Sequence, residues 1–299
     1  MNPFDFARLP PPQIIEPLDF ETIFTSRKTR LIELHPPEKQ ADIAALLELE
    51  SEPITKILQE NAYRELLLRD RINSAAKAVM LGYSKNEDLD NLLGNFYVPR
   101  LVVKPQDLTT IPPTPAVMES DDDFRDRGQT AFEGLSVAGP RAAYEFHARS
   151  ADGRVADVSA ISPTPAAVLL SVLSREGNGT APPDLLSAVE AAVTQETIRP
   201  VGDRVTVQSA IIKPVTISAE LYLESGPESE LVLAAANQAL LSYQASRRRL
   251  GGSVYRSAID AALHVEGVRH VVVLSPAADI ELDRTGAPDF APHTLVVGE

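Results

Sequence analysis

The chain has 299 residues with 44% apolar side chains, enough for one large or two smaller folded domains. Its 42 acidic and 28 basic residues give a net charge of −14, which argues against nucleic-acid binding through a basic face, because such binding needs Lys and Arg to neutralise phosphates. Cysteine is absent, which excludes disulfides, thiolate metal sites and a cysteine nucleophile, and suits a reducing compartment.

The first residues have neither a basic start nor an apolar run, and no stretch approaches the roughly 18 apolar residues of a membrane helix. We therefore expect a chain made in the cytoplasm, without direct membrane insertion. Residues 1–17 contain five prolines, which favour an extended arm over a helix. Because the arm carries Phe4, Phe6 and Leu9, two interpretations stay open: an arm that lies on a neighbouring surface, or a mobile terminus.

Three helices are predicted for the first third of the chain. The first spans Leu18–Leu34 and the second Glu38–Glu50. The third spans Pro53–Leu81, because proline is tolerated at a helix start and Gly82 is the first natural stop. Its roughly 29 residues would extend about 43 Å.

The long helix is apolar on more than one side, which indicates several neighbours. Either it forms an internal bundle with the two preceding helices, or it contributes to a bundle shared between chains. The predicted interface residues for a shared bundle are Ile54, Leu58, Leu68, Ile72, Ala76 and Val79.

A short acidic helix is predicted over Asn86–Asn95, and a short strand with a linker over Val98–Pro115. Ser120 and the three aspartates after it precede another helix. Adjacent aspartates could suggest Ca²⁺, but no spaced oxygen ligands or closing Glu follow, so helix capping is the favoured interpretation.

The stretch Gly139–Pro163 changes from a helical to a strand-like pattern. Tyr144, Phe146 and His147 lie in a helix that Gly139 and Pro140 open, and a strand follows the turn after it. The later strands are predicted over Ala166–Leu173, Asp203–Ile212, Val215–Leu223, Val268–Leu274 and, as an edge strand, Thr294–Val297. The later helices are predicted over Pro182–Val193, Gly226–Arg249 and, with Ser253 as its cap, Ser253–His264.

No catalytic constellation emerges from the pattern. The five histidines are never paired at metal-ligand spacing, and His147 is predicted to be a packed, hydrogen-bonded side chain rather than a base. Ser136 imitates a nucleophile elbow, yet a helix precedes it where the elbow needs a strand. Gly177–Thr180 is typical of a turn rather than a phosphate loop, and Arg247–Arg249 of a helix end.

Several motifs together resemble one family. Besides Gly-Pro, Ala-Tyr-x-Phe-His-Ala and Arg-Val-x-Asp-Val within 139–158, the matching stretches are Leu18–Glu21, Ala62–Glu65, Arg71–Asn73, Asp88–Asp90, Arg199–Val205 and Arg256–Ile259. This pattern, which covers nearly the whole chain, resembles the baseplate J-like proteins, wedge components of contractile phage tails and R-type tail-like bacteriocins. One departure is Ala166, where the family pattern has glycine.

The resemblance implies a structural role without a cofactor or an enzymatic activity. It implies a heterotrimeric wedge of two copies of this chain and one smaller subunit, joined through an N-terminal helical bundle. It also implies contacts to neighbouring wedges, to sheath-initiating proteins and to a hub or spike. The rival interpretation is an α/β enzyme or ligand-binding protein with an accessory helical region.

The expected fold is a multidomain α+β protein: an N-terminal Pro-rich arm and long-helix bundle, followed by two small α/β domains. The expected divisions are 1–37 for the arm and first helix, 38–115 for the helical bundle region with its linker, 116–202 for a central domain and 203–299 for a C-terminal domain.

Overall fold

The computed structural model describes residues 12, 14–136, 138–224 and 229–298. It divides into two compact units, one ending at Pro99 and the other starting at Arg100. The described residues form nine α-helices, one 3₁₀ helix and ten β-strands. The predicted mixed α+β class is therefore confirmed.

The first unit is helical. Its helices are α1 (Phe20–Glu33), α2 (Pro37–Leu47), α3 (Pro53–Ala78) and α4 (Asn86–Gly94). The Asp19 carboxylate caps α1 by accepting a hydrogen bond from the Thr22 amide at 2.8 Å. Hydrogen bonds from the Thr22 hydroxyl and from that amide lower the pKa of Asp19. Proline occupies the first position of both α2 and α3, where its missing amide hydrogen removes no helical bond.

Helix α3 is shorter than predicted. It ends at Ala78, giving 26 residues and a length of about 39 Å. The helix stops before Gly82 because the amides of Met80 and Tyr83 bond carbonyls three residues back, which winds the chain into tight turns. Val79, predicted inside the helix, is its C-terminal cap residue.

The second unit begins with a hairpin and two helical segments. The hairpin strands, β1 (Val102–Lys104) and β2 (Val117–Met118), pair antiparallel. They are followed by α5 (Asp121–Gln129) and a 3₁₀ helix over Ala131–Leu135. Ser120 caps α5, since its hydroxyl oxygen accepts from the Asp123 amide, as the capping interpretation predicted.

A central lobe follows, formed by α6 (Arg141–Ala151), β3 (Val155–Ile161), β4 (Ala167–Ser174), α7 (Pro183–Val193) and β5 (Arg204–Ser209). Strand β3 pairs antiparallel with β4, and β4 pairs parallel with β5. A parallel pair needs a crossover, and α7 provides it. The core includes Tyr144, Leu170 and Leu185, all less than 3% exposed.

The C-terminal lobe contains β6 (Ile211–Val215), β7 (Ser218–Leu223), α8 (Ser229–Arg247), α9 (Arg256–Leu263), β8 (Val268–Ser275), β9 (Gly286–Phe290) and β10 (Thr294–Val297). One sheet has the order β10-β7-β8, and β6 pairs with β9 in another. Core residues of α8 and α9 pack against the first sheet. The predicted edge position of β10 is confirmed by its parallel pairing with β7.

Three local predictions are wrong. The predicted strand over 203–212 is two strands, because the chain changes sheets at Ala210. The next strand starts at Ser218, since Val215 belongs to β6. Ser253 does not cap a helix: α9 begins after Tyr255, and the Ser253 hydroxyl accepts a hydrogen bond from the Leu282 amide instead.

Candidate functional site

One face of α3 packs within the first unit. Its fully covered residues are Thr55, Ala62 and Asn73, which lie within about 20° of one another around the helix. This side contacts α1. Small and polar residues therefore occupy the face that the chain covers for itself.

Polar interactions fix α3 to the chain that precedes and forms α1. Asn73 exchanges two hydrogen bonds with the backbone of Glu16, at 2.9 and 3.2 Å. Arg69 reaches the Glu16 carboxylate at 2.7 Å, and Arg27 on α1 pairs with Glu65 on α3. Arg69 also pairs with Glu65 at 2.8 Å. The guanidinium groups of Arg69 and Arg27 hold the pKa of Glu65 below its usual value. These contacts fix the orientation of α3, and with it the side that stays uncovered.

The uncovered side of α3 carries an apolar stripe. Leu68, Ile72, Ala75 and Val79 follow one another at spacings of four, three and four residues, and all four are exposed, the three larger ones by 66%, 59% and 70%. This is the spacing of a coiled-coil seam. The stripe lies about 120° around the helix from the buried face. We call these four residues the α3 seam.

The other predicted interface residues of α3 are placed differently. Ile54, Leu58 and Ala76 are half-buried. Ile57, which was not predicted as an interface residue, is 60% exposed and lies on the seam side three turns before Leu68. Its 11-residue spacing from Leu68 is the signal that could have identified it. The predicted arm residues Phe4, Phe6 and Leu9 lie outside the residues that the structure describes.

The family motif of the central lobe is a packing site. Tyr144 is 2% exposed, and its hydroxyl donates to the Asp203 carboxylate at 2.9 Å. Burial and that carboxylate both raise the pKa of Tyr144. Arg199 donates to the Asp203 carbonyl at 2.9 Å. The stretches Gly139–Tyr144 and Arg199–Asp203, some 60 residues apart in sequence, thus contact each other in the fold.

Phe146 and His147 are also held by packing. The Nε2–H of His147 donates to the Gly134 carbonyl at 3.0 Å, which agrees with the predicted hydrogen-bonded histidine. The two rings meet edge to face at 5.5 Å. Gly134 is required here, because a Cβ at that position would lie 2.3 Å from the Phe146 ring.

The aspartates of α5 bind arginines. Asp121 pairs with Arg100, and Asp123 with Arg175 at 2.6 Å. No group of three or more His, Asp or Glu residues among the described ones is arranged to hold a metal ion. Ser136 follows the 3₁₀ helix rather than a strand, so it lacks the geometry of a nucleophile elbow. Helix α8 ends at Arg247, as predicted.

The polar clusters described above join elements of the chain to one another. No helix in the described part of the chain is long and apolar enough to span a bilayer. The contacts within the described residues leave the α3 seam exposed. An exposed apolar stripe with coiled-coil spacing is suited to contact another protein.

Known protein families and one known protein match this chain. Three family models match the chain: the Baseplate J-like N-terminal domain over residues 50–107, the Baseplate J-like central domain over 136–209 and the Baseplate J-like protein C-terminal domain over 215–291. Baseplate protein J of Escherichia phage P2 is 54% identical over 294 residues, which covers 98% of this chain and 97% of that protein.

Proposed function

Because the chain belongs to the baseplate J-like family and has a structural baseplate role, we propose that it is a non-enzymatic wedge subunit of a contractile injection machine. Two copies join one smaller wedge subunit. Neighbouring wedges then link into a ring that surrounds the hub and spike and contacts sheath-initiating proteins. The chain is made in the bacterial cytoplasm and assembled into the baseplate of a virion or released bacteriocin.

The α3 seam carries this proposal. Leu68, Ile72 and Val79 lie in one line along the helix. The described part of the chain covers at most about two fifths of the surface of each of them. A second copy of α3 and a helix of the smaller subunit would cover them in a bundle, with Ile57 at the other end of the seam.

The N-terminal arm belongs to the same proposal. The chain at Glu16 lies against the covered side of α3 through Asn73 and Arg69. Phe4, Phe6 and Leu9 would then pack on a neighbouring subunit rather than remain in water.

The test compares seam variants with a control on the same helix. Leu68→Asp and Ile72→Asp place a carboxylate in the proposed interface, where an unpaired charge costs several kcal/mol. Ser74→Asp adds the same charge at an exposed position about 160° away from Ile72. We expect the two seam variants to lose the complex with the smaller subunit, and Ser74→Asp to keep it.

The measurement is co-purification with the smaller subunit, followed by the mass of the complex from light scattering. Circular dichroism checks that each variant has kept its helix content. A complex of normal mass and yield from both seam variants would refute the shared bundle. Electron microscopy of tail particles made with and without the chain tests the baseplate role separately.

A further inference from the structure

The main chain passes from the central to the C-terminal lobe through a single residue. Ser209 ends β5 and Ile211 begins β6, so Ala210 alone separates strands of two different sheets. The Ala210 amide donates to Val172 of the central lobe at 2.8 Å, and the Ile211 amide donates to Thr285 of the C-terminal lobe at 2.9 Å. Both neighbouring strands are fixed in their own sheets, so a rotation between the lobes must concentrate at Ala210.

A second connection lies away from this residue. In the turn after α8, the Leu250 amide donates to the Asp157 carboxylate of β3 at 3.0 Å. Arg248 of the same turn donates to the Gly177 carbonyl at 2.6 Å, in the loop after β4. We call Arg248–Leu250 and its two acceptors the latch.

The apolar contact between the lobes is small. Its buried members are Leu173, Ala210 and Ala287, with Ile212 and Leu250 partly buried against them. The cores of the two lobes contain eleven and thirteen buried residues by comparison. Because hydrophobic stabilisation scales with buried area, each lobe is held together far more strongly than the lobes hold each other.

The Asp157 carboxylate is the side-chain acceptor of the latch. It is hydrogen-bonded by backbone amides, those of Val158 and Leu250. Burial raises its pKa, and the charges of Arg149 on α6 and Arg249 within the latch oppose that shift. Asp126 of α5 faces Arg149 in turn. A half-buried acceptor that receives an amide hydrogen bond from the other lobe loses that bond whenever the lobes part.

We propose that Ala210 is a hinge and that the latch holds the C-terminal lobe in one orientation, so that opening the latch lets the lobe rotate as a rigid body. This device is independent of which protein contacts the chain. Its function is to give the two lobes of the second unit two relative orientations without unfolding either core.

The test measures the orientation directly in the full chain. Because the chain has no cysteine, spin labels attach only at introduced cysteines, for which exposed Ala191 on α7 and Ala234 on α8 are suitable. Double electron–electron resonance should give one narrow distance distribution. The double change Asp157→Val with Arg248→Ala should broaden it or add a second distance.

Two matched variants separate the latch from general damage. Asp157→Asn retains an acceptor oxygen for the Leu250 amide and should keep the narrow distribution. Asp279→Ala removes a carboxylate that accepts from the Arg256 amide at 2.8 Å within the C-terminal lobe, and should also keep it. A broadened distribution in either variant would contradict the latch.

Hydrogen exchange keeps the proposal testable if the double variant unfolds. In the native chain the Leu250 amide should be protected, and Arg248→Ala alone should speed its exchange by about tenfold while the amides of the β4 core stay unchanged. A native Leu250 amide that exchanges at the unprotected rate, or a latch-free chain with an unchanged narrow distance, would overturn the proposal.

Discussion

The buried ion pair of the second unit gives the sharpest test of its packing. Arg127 on α5 donates to Glu119 through Nε at 3.1 Å and Nη2 at 2.6 Å, and the two side chains are 2% and 3% exposed. The Leu101 amide donates to the same carboxylate, and the Arg127 guanidinium lies 5.3 Å from the Phe124 ring centroid. Glu119 therefore joins the hairpin to α5.

Glu119→Ala should remove about 3–5 kcal/mol, because it leaves a buried guanidinium without its main counter-charge. A domain's total stability is about 5–15 kcal/mol, so the loss is a large fraction of it. The control is Asp122→Ala, whose carboxylate is 97% exposed and pairs with Arg125, and which should cost less than about 1 kcal/mol.

The assay is native-state hydrogen exchange of the amides of α5, since the chain has no tryptophan to report unfolding by fluorescence. At tenfold per 1.4 kcal/mol, Glu119→Ala should speed the exchange by between about a hundredfold and several thousandfold. A change below about fivefold, similar to that of the Asp122 control, would refute the reasoning that an unpaired Arg127 is costly.

Three further changes follow from backbone strain, packing and charge. Ala166 has a left-handed φ of 61°, so Ala166→Gly should raise the free energy of unfolding by about 1 kcal/mol in urea titrations; a loss would contradict the strain argument. Gly134→Val should lower the melting temperature by displacing Phe146, whereas Gly202→Ala, with no atom within 4 Å of the added Cβ, should leave it unchanged. Because the pKa of Asp157 is raised in the folded protein, the folded state binds more protons there than the unfolded chain, and the protein loses stability as pH rises above 3.8. Asp157→Asn should therefore melt at a higher temperature than the native chain at pH 7 and lose that advantage toward pH 4. Equal pH profiles would disprove the shift.

Local chemistry explains which elements could be predicted. Pro53 marks the start of α3, and Asp19 and Ser120 act as caps, because each satisfies or avoids the free amides of a first helical turn. The change from helix to strand after Gly139 is also local, since the apolar period itself changes there. The turn at Ala166 is also set locally. Its backbone is left-handed, a conformation that alanine itself does not favour.

Long-range pairing explains most of what was missed. Strand β9 has the sequence Gly-Ala-Pro-Asp-Phe, which has low intrinsic β propensity, and it forms because β6 lies beside it. The break at Ala210 has no sequence signal either, because the apolar pattern continues from one sheet into the next. Ser253 precedes α9 as a cap would, yet a partner 29 residues away takes its hydroxyl.

The α3 seam shows why periodicity alone could not separate an internal from a shared bundle. Large apolar residues predict burial, but the face that α1 covers holds Thr55, Ala62 and Asn73. If Leu68, Ile72 and Val79 of two chains met, six side chains about two-thirds exposed would contribute roughly 6–12 kcal/mol. Association costs about 4–15 kcal/mol, so this seam alone would hold two chains only weakly. A third helix would cover more of both seams, which is why the decisive measurement is the complex with the smaller subunit rather than self-association of the chain.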